Sequence, residues 1–454
     1  MKRFWALAIF ASVVLGGAAV WMGGLNQDEG WYLYAANLVS EGQLPYRDFF
    51  YTQGPVMPCV YSAFTWVWKM WGVLGARMFT LVIGMVGIVF AVALARRMVA
   101  DQDRSRVSVV VFLLLGCNLY HLYYLAIPKT YALATLFAMM GFYLIDVANG
   151  TRLRDFAVSV MSGLCLALAM GTRISLGAML CVVGLWLLVS RRRKAFVGFA
   201  LGGAVGLALL YVPFLCDETA RAGIVAAQCY HAARGGFDLT WVIGSLSRLV
   251  RWYLPVFIVL GLGDFRRQRM LLFAVFAVFA VQMCAPFPYE DYQVPVMGLL
   301  AVFAAVNFVG GNCSKSVLMV LGLCFACSFG SPLLEHWSTN GQDRFWTIKK
   351  SQFELAQLRQ VAKEINAIDP GGSDLLTQDL YLAIETGRKV PKGLEMGPFS
   401  MLTDDDWRQL LGSYPCEVAA LSGYSFAIEP PKCGERSVER QLEYGISSEK
   451  GIGW

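Results

Sequence analysis

The chain has 454 residues, of which 57% are hydrophobic and only 15% charged, whereas a soluble domain is nearer half apolar and a quarter charged. A soluble globular protein is therefore excluded. The net charge of +6 needs no nucleic acid to explain it, because short clusters of Lys and Arg between apolar runs supply the excess and face anionic lipid.

A bilayer-spanning helix takes about 20 mostly apolar residues. Runs of roughly that length fall at 4–25, 76–95, 107–126, 129–147, 156–171, 174–190, 195–215, 251–263, 270–286, 294–309 and 316–332. They predict an α-helical polytopic membrane protein with about eleven transmembrane helices in residues 1–332. The first run has a basic start, an apolar middle and small residues after it, so it also has the form of a secretory signal peptide. The many later runs favour an uncleaved span.

The segment after it, "NQDEGWYLYAANLVSEGQLPYRDFFYTQGP", is rich in acids, prolines and glycines. Residues 26–75 read as the first outer loop. Its end, "PVMPCVYSAFTWVWKMWGVLG", carries Trp66, Trp68, Trp71 and Lys69, which suit a helix lying in the membrane interface. Short loops rich in Lys and Arg stay cytoplasmic. An inside N-terminus puts 16 of the 25 cations before position 332 on that side, including Arg96, Arg97, Arg104, Arg106, Arg152, Arg154, Arg191 to Lys194, Arg266, Arg267, Arg269 and Lys315.

After Pro332 the texture turns polar, with 13 cations and 18 acids in residues 333–454. An odd number of spans puts this tail outside. Ser351 and Glu354 form a capping box, and Phe353, Leu355, Leu358, Val361, Ile365 and Ile368 line one helical face. With "DLLT" and "CEVAAL" as strands, the tail reads as a small C-terminal α/β soluble domain.

Most of the 12 cysteines are small apolar fillers within spans. Cys216 with Cys229, and Cys416 with Cys433, are candidate disulfides in an oxidising compartment. Cys324 and Cys327 form a CxxC inside a span, where a redox role has little support. His121, His231 and His336 join no zinc-type array, and no phosphate-binding glycine loop is present. No cofactor is called for, and a divalent metal has no support in the residue pattern.

Charges near span ends are costly without a partner or a task. Asp28 and Glu29 lie just beyond the first span, and Arg47 and Asp48 follow in "PYRDFF". Tyr289, Glu290, Asp291 and Tyr292 form "YEDY" between two late spans, Lys129 opens the fourth span, and Arg173 follows the fifth. All fall on the outer side of this topology. Together they suit a base that deprotonates a hydroxyl while cations neutralise a departing phosphate; the alternative is a set of solvated loop charges and interfacial aromatics.

The stretch "DEGWYLYAANLVSEGQLPYRDFFYTQGP" resembles the first outer loop of the GT-C superfamily of membrane glycosyltransferases, which includes protein O-mannosyltransferases and lipid A aminoarabinose transferases. The shared features are an acidic pair after the first span and a "YxDxxxxxxP" element. The resemblance implies a polyprenyl-phosphate-linked sugar as donor, a membrane-embedded lipid chain, and transfer at the outer face of a bacterial cytoplasmic membrane; direct displacement of the phosphate would invert the anomeric carbon. It implies Asp28 as the base with Glu29 as its support, and Arg47 and Asp48 as substrate contacts. One departure stands out: several relatives carry a lysine beside the proline to hold lipid phosphate, and this chain has Gln53, Gly54 and Pro55 there. Arg47, Lys129 or Arg173 must then supply the cation. The acceptor stays open: a lipid, a glycan or a protein.

The rival reading is a transporter or lipid flippase, whose coupling residues belong in mid-span; the acids here sit at span ends, and no inverted repeat is visible. The topology makes a direct prediction. In a chain stripped of its own cysteines, an impermeant thiol reagent applied to intact cells should label a cysteine placed at Ser400 and spare one placed at Arg192; the opposite pattern overturns the orientation.

Overall fold

Apolar segments surrounded by lipid fold as helices, because a helix satisfies every backbone N–H and C=O within one segment. A computed structural model of the chain describes residues 2–148, 153–233, 236–263, 265, 268–309, 320, 322–324, 354–372, 374–397, 400, 419–422 and 439–442. Among the described residues, six helices are long and apolar enough to cross a membrane, or eight if each of two bent pairs counts as one span. Four of the long ones are α1 (Lys2–Met22), α4 (Thr65–Arg97), α8 (Leu153–Thr172) and α10 (Arg193–Leu215). The others are α7 (Thr130–Val147) and α15 (Val294–Val309), the latter entered through a 3-10 turn at Glu290–Gln293. The expected spans at 174–190 and 270–286 are shorter apolar helices, at Ile174–Val189 and Arg269–Met283.

Two expected straight spans are broken. Residues 107–126 divide into α5 (Arg104–Gly116) and α6 (Leu119–Ala126), bent by 67°. The expected span at 251–263 begins inside α12 (Leu239–Trp252) and turns by 82° into α13 (Leu254–Gly261). Asn118 sits at the first break, where its side chain caps α6 by accepting from the His121 N–H at 3.1 Å. The same side chain donates to the Trp252 carbonyl at the second break, also at 3.1 Å. One amide thus serves both interruptions, which is why unpaired backbone is tolerated inside an apolar layer.

The loop after α1 is largely helical. Its acidic segment forms α2 (Gln27–Ser40), opened by a capping box of Asn26 and Glu29. The interfacial helix expected at 55–75 is two pieces, α3 (Val56–Ser62) and the first turns of α4, which breaks at Gly72 in a left-handed conformation, φ +63°. Trp66 and Trp71 are exposed there, but Trp68 is buried and donates to Asn37 Oδ1 at 2.9 Å. Between α10 and α12 lies a further helix, α11 (Glu218–Ala233). Cys216 and Cys229, expected as a pair across that stretch, are both unpaired, because Cys216 ends α10 while Cys229 lies well along α11.

In the tail, α16 (Glu354–Ile368) and α17 (Leu380–Thr386) are helical. The "DLLT" run forms no full strand among the described residues, but Leu376 makes an isolated β-bridge and the Leu375 N–H donates to the Lys389 carbonyl at 2.7 Å. The strand in "CEVAAL" is β1 (Ala419–Ser422), paired parallel with β2 (Glu439–Leu442). Expectations for the 316–332 span, apart from helical positions at 320 and 322–324, lie outside the described residues. So do those for Ser351, Phe353, Cys327, Cys416, Cys433, His336 and the cations Arg152, Arg266, Arg267 and Lys315.

A fully buried arginine fixes the geometry of the first loop. Arg77 Nε and Nη2 donate to the two Glu29 oxygens at 2.7 and 2.6 Å. Its Nη1 donates to the carbonyls of Val20 and Gly23 at 3.0 and 2.9 Å, and Nη2 also reaches Gly24 at 2.7 Å. Removing one member of a buried ion pair strands the other charge, a loss of about 3–5 kcal/mol. Arg77→Met should therefore lower the thermal midpoint in detergent sharply, and adding Glu29→Gln should restore part of the loss; a midpoint unchanged in Arg77→Met would show that the pair carries no stability.

Candidate active site

Asp28 stands in the first turn of α2, where its N–H donates to the Asn26 side chain at 3.1 Å. Its Oδ1 accepts from Trp31 Nε1 at 3.2 Å, and its Oδ2 lies 2.7 Å from Lys129 Nζ. Lys129 is the N-cap residue of α7, held extended after Pro128, and its side chain is only 7% exposed. The same ammonium lies 3.5 Å from Asp291 Oδ2, which also accepts from the Tyr131 hydroxyl at 2.7 Å. Lys129 is thus a shared counter-ion between two carboxylates, one from the first loop and one from the turn before α15.

Arg173 follows the last turn of α8 and is buried. Its Nη1 donates to Thr130 Oγ1 at 3.3 Å, and the guanidinium lies over the rings of Tyr292, at 4.2 Å, and Tyr131, at 5.1 Å. Among the described residues it has no carboxylate within ion-pair distance, and its Nε has no hydrogen-bond partner. Cation–π contacts stabilise such a group only partly, so a buried arginine of this kind keeps an unneutralised charge. The α7 N-terminus beside it has no side-chain cap, and its first residues Thr130, Tyr131 and Ala132 are wholly buried. Helix N-termini favour anions.

The remaining expected residues are placed differently. Glu29 does not adjoin the cluster as a free carboxylate; it is spent on Arg77 and on the Asn26 N–H at 2.8 Å. Glu290 pairs with Arg248 Nε at 3.0 Å, tying the "YEDY" turn to α12. Tyr289 packs edge-on against Trp241 and Tyr292. Arg47 and Asp48 pair with each other at 2.8 Å near the surface, and Asp48 accepts from the Leu44 N–H at 2.7 Å. The Arg47 hydrogen bond holds the Asp48 carboxyl below the usual carboxylate range, and the same bond raises Arg47. Neither residue bonds to Asp28, Lys129, Arg173 or Asp291.

Sequence reasoning missed Arg77, Tyr131 and Trp31. Arg77 had a visible signal, a lone charge at the edge of an apolar run. Tyr131 and Trp31 are aromatics among many, and only the fold singles them out. No group of His, Cys, Asp or Glu among the described residues has the arrangement of a metal site.

No protein-family model matches the chain, and no curated protein does. Solved structures do. ArnT from Cupriavidus metallidurans in the apo state superposes with a TM-score of 0.61 at 16% identity, over 91% of each chain. The same protein bound to undecaprenyl phosphate gives 0.63 at 15% identity, over 90% of this chain and 91% of that one. The Archaeoglobus fulgidus oligosaccharyltransferase tethered with an acceptor peptide gives 0.51 at 11% identity, over 88% of this chain and 64% of that one. The GT-C resemblance read from the first loop therefore holds as a resemblance of fold.

The shared ammonium yields a prediction. Lys129→Met leaves Asp28 and Asp291 facing the gap with no cation between them and should lower stability. Adding Asp291→Asn should recover part of that loss, with a coupling of about 1–3 kcal/mol; strictly additive effects in the double-variant cycle would show that the three groups do not interact.

Proposed function

We propose that the protein is a membrane glycosyltransferase that moves a sugar from a polyprenyl-phosphate donor to a hydroxyl acceptor at the outer face of the membrane. The observation that carries this reading is the meeting of one partly exposed carboxylate, Asp28, with two buried cations, Lys129 and Arg173, brought from separate elements. Fold likeness to ArnT, one of whose structures is bound to undecaprenyl phosphate, supports the choice of donor.

In the proposed reaction the acceptor oxygen attacks the anomeric carbon as the bond from that carbon to the phosphate oxygen breaks. The acceptor proton passes to Asp28, and the electron pair of the broken bond leaves with the phosphate. Phosphate is already a competent leaving group, so a base and charge stabilisation suffice. Attack opposite the departing phosphate inverts the anomeric centre. Asp28 suits the base role because its side chain is 27% exposed, against 12% for Asp291.

Arg173 suits the phosphate for the opposite reason, being a buried cation with no carboxylate of its own among the described residues. It also stands where the resemblance leads one to look for a lysine. A Cβ on Gly54 would lie 1.9 Å from the Gly171 carbonyl, so the Gln53–Gly54–Pro55 backbone rests on the end of α8, two residues before Arg173. Lys129 would then divide its charge between Asp28, Asp291 and the arriving phosphate.

Two measurements test the reading. Purified protein given polyprenyl-phosphate-linked sugars and hydroxyl acceptors should release polyprenyl phosphate, and Asp28→Asn should slow turnover by about 10² to 10⁴ while folding normally. Arg173→Gln should weaken binding of undecaprenyl phosphate more than Arg47→Gln does. A stable Asp28→Asn with wild-type turnover removes the base assignment, and an Arg47 effect larger than that of Arg173 moves the phosphate to the loop.

A further inference from the structure

The described part of the tail shares a hydrophobic core with the first loop. Leu358, Leu380 and Ile384 belong to the same buried cluster as Trp31, Leu33 and Trp68. The approach of α17 to α2 is close enough to need a glycine, since a Cβ on Gly30 would lie 2.2 Å from the Tyr381 nitrogen. Gly30 is two residues from Asp28.

Two tail carboxylates, one buried and one half-buried, reach the backbone of the membrane part directly. Glu354, at the start of α16, accepts from the Leu25 N–H at 2.6 Å. Glu385, on α17, accepts from the Val73 N–H at 2.8 Å and pairs with Arg359 at 3.0 Å. A Cβ on Gly72 would meet the Glu385 carboxylate at 2.0 Å. Both contacts fall at chain breaks: Leu25 in the link between α1 and α2, and Val73 just past the Gly72 interruption of α4. Arg77, four residues past Val73, donates to the carbonyls of Val20, Gly23 and Gly24. Leu25 is three residues from Asp28, and its N–H bonds to the tail.

We propose that residues 354–397 form a positioning element for Asp28, with Glu354 and Glu385 as the positioning residues through which it acts. The tail holds the α1–α2 link and the Gly72 break in register, so the Asp28 carboxylate stays opposite Lys129. The consequence for turnover rests on Asp28 being the base; the consequence for the geometry of the link does not. Catalysis is sensitive to this kind of displacement, because a shift of about 1 Å at a reacting group can cost up to about a hundredfold in rate.

Glutamine keeps a carbonyl oxygen that can accept the same N–H, whereas alanine removes it, so the two substitutions separate positioning from charge. In the full chain reconstituted in nanodiscs, Glu354→Ala should speed amide exchange in residues 24–31 by about tenfold or more. It should also lower kcat by about ten- to a hundredfold, with KM and undecaprenyl phosphate binding within about twofold of the parent protein. Glu354→Gln should restore both exchange and kcat. Glu385→Ala should loosen residues 72–75 and reproduce the kcat effect in weaker form, and it stands in for Glu354→Ala if that variant does not fold.

Unchanged exchange in 24–31, failure of glutamine to rescue, or a turnover loss equal to the loss of folded protein would each overturn the proposal. If Asp28→Asn itself has normal turnover, the base assignment fails separately, and the exchange measurements alone decide whether the tail holds the link.

Discussion

The first loop depends on Arg77. A guanidinium has five N–H donors in a fixed plane, and here each has an acceptor: two on Glu29 and three on the carbonyls of Val20, Gly23 and Gly24. Burying an ion pair costs more than the pair returns unless every remaining donor and lone pair is satisfied, and this arrangement meets that condition. It closes the end of α1, where unpaired carbonyls would otherwise face an apolar layer, and it fixes Glu29, which in turn closes the start of α2 through Asn26. Asp28 lies between these two closures and inherits its position from them.

The same logic explains why Glu29 and Asp28, adjacent in sequence and identical in charge, have different surroundings. On a helix, neighbouring residues point about 100° apart. Glu29 faces inward to α4 and is wholly buried, while Asp28 faces Lys129 at the margin and stays partly exposed. An acidic pair at a helix start therefore divides into one carboxylate spent on a buried ion pair and one that stays partly exposed beside Lys129. The pair motif alone does not say which is which; the position of Arg77 does.

Much of this was readable in the chain. Long apolar runs marked the straight helices, and the span ends marked Asp28, Lys129, Arg173 and Asp291 as charges in need of a reason. The broken spans were not readable, because 107–126 and 251–263 have enough apolar residues to look continuous, and the interruption at Asn118 depends on a carbonyl at Trp252, 134 positions away. Trp68 looked like an interfacial anchor by composition, yet tertiary packing covers it. The union of tail and loop in one core was likewise hidden, since the amphipathic face of α16 shows that it packs against something without showing what.

Arg47 and Arg173 illustrate how environment sorts residues of one type. Both are arginines near the "QGP" element, one by sequence and one by contact. Arg47 has an immediate carboxylate neighbour, Asp48, and water on its other side, so its charge is neutralised and screened at little cost. Arg173 has two aromatic faces, a threonine hydroxyl and an uncapped helix start around it, and no acid of its own among the described residues. Desolvation makes the second arrangement costly in an empty protein and favourable around an anion. In the proposed reaction that asymmetry favours Arg173 over Arg47 as the residue that meets the phosphate. The contact between Gly54 and Gly171, where neither residue has a side chain to hold the backbones apart, lets the cation just past α8 stand beside the Gln53–Gly54–Pro55 backbone.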